Sequence, residues 1–169
     1  MGNIMYLSPS KMDQRLEKED FHKNFSLKQQ KRTATQQIAN NREGAEVYNG
    51  ASVCIKKVHE LLTNSKLPKG LLAIKEITEF GYNQKTGFFW IKQAKKSEHK
   101  FRALNKNASY DTEVVGFVED GKMTKISGFK VKAIMVWFAV TDISIDEKDP
   151  EKLSFLSAGI AKSFSWFCF

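Results

Sequence analysis

One group of side chains in the second half of the chain has the residue types that ester hydrolysis requires. Ser109, Asp111 and Glu113 alternate along a predicted strand and would share one face, and His99 is the only histidine among the predicted strands. A serine nucleophile also needs a positioned base and an oxyanion hole, and neither a GxSxG elbow nor βα alternation supplies them. We therefore favour a protein without catalytic residues and keep a weak esterase as an alternative.

Histidine and cysteine are too dispersed along the chain to suggest a metal centre. His22, His59 and His99 lie far apart, and Cys54 and Cys168 form no CxxC pair. Zinc sites usually take their ligands from closely spaced pairs of such residues. We therefore expect no metal and no cofactor, and we expect the two cysteines to be free thiols.

The most distinctive part of the chain is residues 80–102, which read FGYNQKTGFFWIKQAKKSEHKFR. Asn83 and Gly87 provide the chemistry of a turn, and the run FFWI predicts an apolar strand. The basic residues that follow form a predicted anionic-surface patch: Lys92, Lys95, Lys96, Lys100 and Arg102. Such a patch attracts anionic membrane surfaces, nucleic acid phosphates or acidic proteins, although lysines also protect sheet edges from aggregation.

Nucleic acid is the partner that we favour least. Single strands stack on exposed aromatic side chains of a basic sheet, and Phe88, Phe89 and Trp90 stand beside the basic run. Four consecutive apolar residues must, however, point to both faces of a strand, so some of them belong to a core. The chain also has no RNP-type signature.

Length and charge fit one folded domain with anionic partners. The chain has 169 residues and a net charge of +8, and residues 85–106 hold seven basic residues against one acidic residue. The longest apolar run, residues 133–140, is far too short to span a membrane and is typical of a buried strand. No secretory signal is recognisable, so we expect a cytoplasmic location, including the surface of a membrane.

Hydrophobic periodicity predicts the elements that hold these residues. Residues 1–36 are polar, and we expect a poorly ordered extension with some helix at 15–30, whereas residues 37–169 are expected to form a single domain. Apolar residues at helical spacing predict a helix over 41–64. After it, short alternating runs are separated by turn residues such as Asp120-Gly121. We predict a mainly β fold, an N-terminal helix followed by an antiparallel β-sandwich or pseudo-barrel of about eight short strands.

Six blocks of the sequence resemble one plant family. The blocks are NNREGAEVYNGASVC, LPKGLL, EFGYNQKTGFFWIKQ, KKSEHKF, SYDTEVVGFVEDGKM and ISGFKVKAIMVWFAVTDISID. In this order they resemble the family called domain of unknown function 538, over residues 37–169. Members close to this pattern include the trichome-related proteins named smaller with variable branches.

The resemblance implies both a fold and a biological setting. It implies a plant source, a role in development or stress response, and a β-rich pseudo-barrel or sandwich preceded by a helix. The activities proposed for the family are binding of lipid-like or chlorophyll-like molecules and a weak esterase. The resemblance brings no catalytic motif to this chain.

The function that we favour is binding of a lipid-like or pigment-like amphipathic ligand. An aromatic-rich barrel can enclose an apolar cavity, with Trp90, Trp137 and Phe138 as predicted wall residues and the basic patch at the head group. The main alternative is a regulatory module that contacts another protein and holds no ligand. A partly empty apolar cavity would favour the first function, whereas a filled core with an exposed apolar patch would favour the second.

Overall fold

The alternating segments of the chain form strands, as their period predicts. In the computed structural model ten strands pair into one antiparallel sheet that does not close on itself. The strands are β1 Glu46–Asn49, β2 Ile77–Asn83, β3 Phe88–Gln93, β4 Ser97–Phe101, β5 Lys106–Glu119, β6 Lys122–Ala133, β7 Val136–Ala139, β8 Asp142–Ile145, β9 Lys152–Ser157 and β10 Ile160–Ser165. Their order is β1-β2-β3-β5-β6-β8-β9-β10, with β4 beside β5 and β7 beside β6. The predicted mainly β, antiparallel class is confirmed, with an open sheet.

The structure describes the backbone of residues 10–169 and, before residue 34, the side chains of residues 14, 15 and 17–22 only. The chain divides into two units, residues 1–33 and residues 34–169. Helix α1 is Ser10–Asn41, and it includes the stretch at 15–30 for which we expected some helix. Residues 1–9 lie outside the described residues, and poor order of residues 1–36 stays a prediction.

The helix predicted over residues 41–64 begins later than expected. Residues Glu46–Asn49 form β1, which pairs with β2, and helix α2 is Ala51–Asn64. Gly50 separates the two elements with a φ of +91°, a backbone angle that favours glycine and cannot continue a helix. Val47 and Tyr48 also suit a strand better than a helix, so local preference overrides the apolar spacing here.

Two apolar clusters cover opposite faces of the sheet. Because neighbouring residues of a strand point to opposite faces, Phe89 joins the larger cluster and Trp90 the smaller one. The larger cluster receives the buried face of α2, and the smaller one is covered by Ala34 and Ile38 near the end of α1. Fully buried aromatic side chains fill both clusters: Phe80, Phe88, Phe89, Trp90, Tyr110 and Phe129.

The apolar run at residues 133–140 is not the single buried strand that its length predicted. It is divided by a hairpin turn, because β6 ends at Ala133 and β7 begins at Val136, and these two residues pair. Within the run only Val140 is fully buried. The run has no glycine, asparagine or proline, so its residue types do not indicate a turn.

A buried tyrosine ties the loop before β2 to the sheet. The Tyr110 hydroxyl donates to the carbonyl of Leu71 at 3.0 Å and accepts from the amide of Ala73 at 3.3 Å. Burial raises the pKa of Tyr110 well above its usual range, so the hydroxyl stays protonated and can donate. Tyr110 thereby satisfies two backbone groups of the segment that contains the sequence LPKGLL.

Replacing Tyr110 by phenylalanine should destabilise the fold by about 1–3 kcal/mol, because both backbone groups lose their partner in a buried place. Chemical denaturation measures this loss. Tyr48→Phe is the matched control, since the Tyr48 hydroxyl donates to the exposed Glu46 carboxylate and should contribute little. Equal effects of the two substitutions would contradict the role given to Tyr110.

Candidate functional site

The β6–β7 hairpin presents a tryptophan together with two lysines. Trp137 of β7 lies directly opposite Lys132 of β6, so the two side chains share one face. The Lys132 Nζ atom lies 5.6 Å from the centre of the Trp137 ring, and the Lys96 Nζ atom lies 6.0 Å from it. Ammonium groups at such distances are attracted to the negative face of the indole ring. The hairpin thus holds two positive charges against one half-buried aromatic side chain.

The turn of the same hairpin is apolar and exposed. Ile134 is 95% exposed, Met135 81% and Val136 55%, and Phe138 on β7 is also exposed. We call this set, with Trp137, Lys96 and Lys132, the hairpin surface. Exposed apolar side chains that stand singly are ordinary, whereas a contiguous group commonly marks an interaction site.

The charge around the hairpin surface is positive. Residues 129–140 contain two lysines and no acidic residue. One of these, Lys130, is paired with Asp111 of β5 at 3.6 Å, whereas the ammonium group of Lys132 lies at Trp137. The adjoining ends of β4 and β5 add Lys100, Arg102 and Lys106, of which the first two are exposed. An anionic surface would therefore meet cations on several strands.

Two of the predicted site residues lie elsewhere, in a structural ion cluster. Trp90 is fully buried and its Nε1 donates to Glu79 at 2.8 Å, and Lys92 lies 3.8 Å from the same carboxylate. Arg42 donates twice to Glu79, at 2.9 Å each. The hydrogen bonds from Arg42, with that from Trp90, lower the pKa of Glu79 to about 2. Trp90 is thus a core residue whose one polar atom is satisfied.

The remaining members of the basic patch are spread over two places. Lys100 and Arg102 lie at the end of β4 and just after it, as described above. Lys95 borders a cleft of about 210 Å³ together with Lys75, Glu76 and His99. Burial, and to a smaller extent Lys75, lowers the pKa of His99, so the imidazole is neutral at pH 7. The cleft carries charges of both signs and has no clear preference for anions.

The residues considered for ester hydrolysis are not brought together. His99 pairs with Ala108, and Glu98 pairs with Ser109, so His99 and Ser109 point to opposite faces of the sheet. The Ser109 side chain is fully buried, and its hydroxyl has no hydrogen-bond partner among the described residues. Glu113 accepts a hydrogen bond from Thr35 at 3.0 Å. The imidazole of His99 is therefore not placed to act as a base for Ser109.

The structure joins two predicted residues and adds others that the sequence did not single out. Lys96 from the basic patch lies over Trp137, whereas Phe138, the next residue of β7, points to the opposite face of the sheet. The sequence did not single out four residues of the hairpin surface, because an apolar run of this length predicts a buried strand. These residues are Lys132, Ile134, Met135 and Val136. The available signal was the pair of lysines, Lys130 and Lys132, directly before the apolar run in KVKAIMVWFAV.

Comparison with known proteins gives one match. The family model described as protein of unknown function, DUF538, matches residues 58–169, which is more than half of the chain. No curated protein and no solved structure matches the chain. In the described part of the chain no helix is both long and apolar enough to span a bilayer. Likewise, no group of three or more His, Cys, Asp or Glu residues there could hold a metal ion.

Proposed function

Since the chain belongs to the DUF538 family, whose description assigns no activity, we propose from its own surface that it is a non-catalytic module for anionic, amphipathic lipids. The hairpin surface carries this proposal, because Lys96 and Lys132 both lie over Trp137 beside exposed apolar residues. The lipid would be met at the surface of the sheet and at the cytosolic face of a membrane. A plant role in development or stress response would then be exercised there.

Surface contact suits this protein better than enclosure of a ligand. Trp90, predicted to line a cavity, packs with Phe88 and Val115 inside the smaller cluster. Trp137 and Phe138 instead stand on an edge of the sheet, where a flat or soft partner can reach them. An aromatic ring beside lysines is typical of residues at a membrane interface, where the ring lies at the level of the head groups.

Binding to anionic vesicles should depend on the two lysines at Trp137. A juxtamembrane lysine contributes about 1 kcal/mol to binding an anionic surface, so Lys96→Ala with Lys132→Ala should weaken binding about tenfold or more. Vesicle flotation with phosphatidylcholine, with and without phosphatidylserine, measures the effect, and added salt should weaken binding further.

The matched control is Lys56→Ala with Lys162→Ala, which removes the same charge from exposed positions on α2 and β10. Its vesicle affinity should fall much less than that of the hairpin variant. Equal losses would mean that only net charge matters and that the hairpin surface is not the site. Absence of vesicle binding by the unaltered protein would overturn the proposed function.

A protein partner is the second candidate, and the edge position of β7 favours it. Within the described chain β7 pairs only with β6, which leaves its other edge open to a strand from another protein. Val136, Phe138 and Ala139 are exposed there. If vesicles are not bound, protection of the β7 amides from hydrogen exchange that increases with protein concentration would support this candidate.

A further inference from the structure

The turn of the β6–β7 hairpin has the features of a membrane anchor. We infer that Ile134 and Met135 enter the boundary between head groups and acyl chains of an anionic bilayer, while Trp137 and its lysines stay at the head groups. This inference rests on the proposed function and adds to it the depth to which the turn enters the bilayer and the orientation of the bound protein. A bound protein would meet the bilayer with the turn first.

The shape and exposure of the turn fit a soft apolar partner. Three consecutive apolar side chains, at residues 134–136, are more than half exposed. They stand at the turn of the hairpin, beyond Val131, the last residue of β6 that pairs with β5. A protein partner that added a strand to β7 would cover Val136–Ala139 and would leave the side chains of the turn in water. A bilayer covers the turn itself.

The backbone at Ile134 gives an independent reason to look for a role of its side chain. Ile134 has a φ of +57°, in the left-handed region, and a β-branched residue is rare and strained there. Glycine or asparagine would form the same turn more readily. The isoleucine thus weakens the turn and supplies an exposed apolar group, a combination that is explained if this group is buried in a bound state.

The spacing along the hairpin matches the depth of an interface. Trp137 follows Met135 by two residues, and two residues of backbone span at most about 7 Å. Interfacial apolar groups usually enter the boundary region by about 5–10 Å, with tryptophan and lysine at the head-group level. With the turn inserted, Lys132 and Lys96 would reach lipid phosphates beside the indole ring.

A fluorescent probe at the turn tests the depth directly. Met135→Cys in a Cys168→Ser background offers one accessible thiol, because Cys54 is fully buried. A nitrobenzoxadiazole dye on this thiol should shift to shorter wavelength with phosphatidylserine-containing vesicles and be quenched by lipids brominated on the acyl chain. The same dye at Ile160→Cys, an exposed position after the β9–β10 turn, should change little.

A glycine at the turn separates insertion from folding. Ile134→Gly should leave stability unchanged or raise it, since glycine accepts the left-handed angle, yet should lower vesicle affinity by about tenfold. The control is Ile160→Gly, which also removes an exposed isoleucine and should leave vesicle affinity unchanged. If Ile134 only supported the fold, Ile134→Gly would not raise the stability of the protein while it lowered the affinity for vesicles.

The outcomes distinguish this inference from the proposed function. Vesicle binding that depends on Lys96 and Lys132, with an unshifted dye and no loss in Ile134→Gly, would overturn insertion and leave the proposed function standing. Absence of vesicle binding would overturn both. If Ile134→Gly instead reduces self-association in sedimentation and leaves vesicle binding unchanged, the turn covers another protein copy and insertion is wrong.

Discussion

Replacing Gly81 by alanine is expected to destabilise the protein by about 3 kcal/mol or more, at the upper end of the cost of overpacking a core. Gly81 pairs directly with Trp90 on the neighbouring strand, and an added Cβ atom would lie 2.0 Å from Cζ2 of the indole ring. The ring cannot move aside easily, because it is fully buried and hydrogen-bonded to Glu79. Chemical denaturation measures the loss against a total stability of about 5–15 kcal/mol.

A second substitution shows whether the contact with Trp90 causes this loss. The backbone at Gly81 does not lie in the left-handed region, so alanine is compatible with its conformation. In a Trp90→Leu background, Gly81→Ala should therefore cost less than about 1 kcal/mol, because the space over the glycine is then open. An equal cost in the two backgrounds would contradict the assignment.

Acid should weaken the protein through Glu79 over a defined range of pH. Its folded pKa of about 2 lies below the ordinary value of 4.5, so its stabilising effect is complete above about pH 4.5 and is lost as the pH falls towards 2. This difference corresponds to about 3 kcal/mol, and solvent screening at the half-exposed Arg42 reduces it to about 2 kcal/mol. Denaturation at a series of pH values measures the slope.

Glu79→Gln should remove most of that slope and lower the stability at pH 7 to nearly the acid value. Glu60→Gln is the matched control, because the exposed Glu60 carboxylate pairs with Lys57 at 2.9 Å near solvent. We expect the control to keep the stability and the pH dependence of the unaltered protein. A wild-type slope in Glu79→Gln would show that other carboxyl groups cause the acid sensitivity.

The parts of the fold that could be predicted are those with a local cause. Asn83 to Gly87 form a turn between β2 and β3, and Asp120-Gly121 form one between β5 and β6, as their residue types indicated. Gly87 and Gly121 both have a positive φ. The antiparallel class followed from many short alternating segments, since each can be recognised in isolation.

What the sequence left open depends on packing between distant residues. The turn at Ile134 and Met135 has none of the residue types that favour a turn. The pairing of β6 with β7 imposes it instead. The pairing between strands determines whether the sheet closes. It also determines that Trp90 lies against Gly81 and not against a cavity. The basic patch could be recognised in the sequence as a run of basic residues. That Lys92 lies near Glu79 and Lys96 near Trp137 could not be predicted, because it depends on how the strands pair.

The strand order has a consequence for how the chain folds. Of the nine strand pairings in the described part of the chain, seven join consecutive strands, and the other two, β3 with β5 and β6 with β8, skip only one. Most of the sheet can therefore assemble hairpin by hairpin, with short loop closures and a low contact order for a β protein. The long-range step is the docking of Ala34 and Ile38 beside Val115. The smaller cluster should thus be the last part of the core to form.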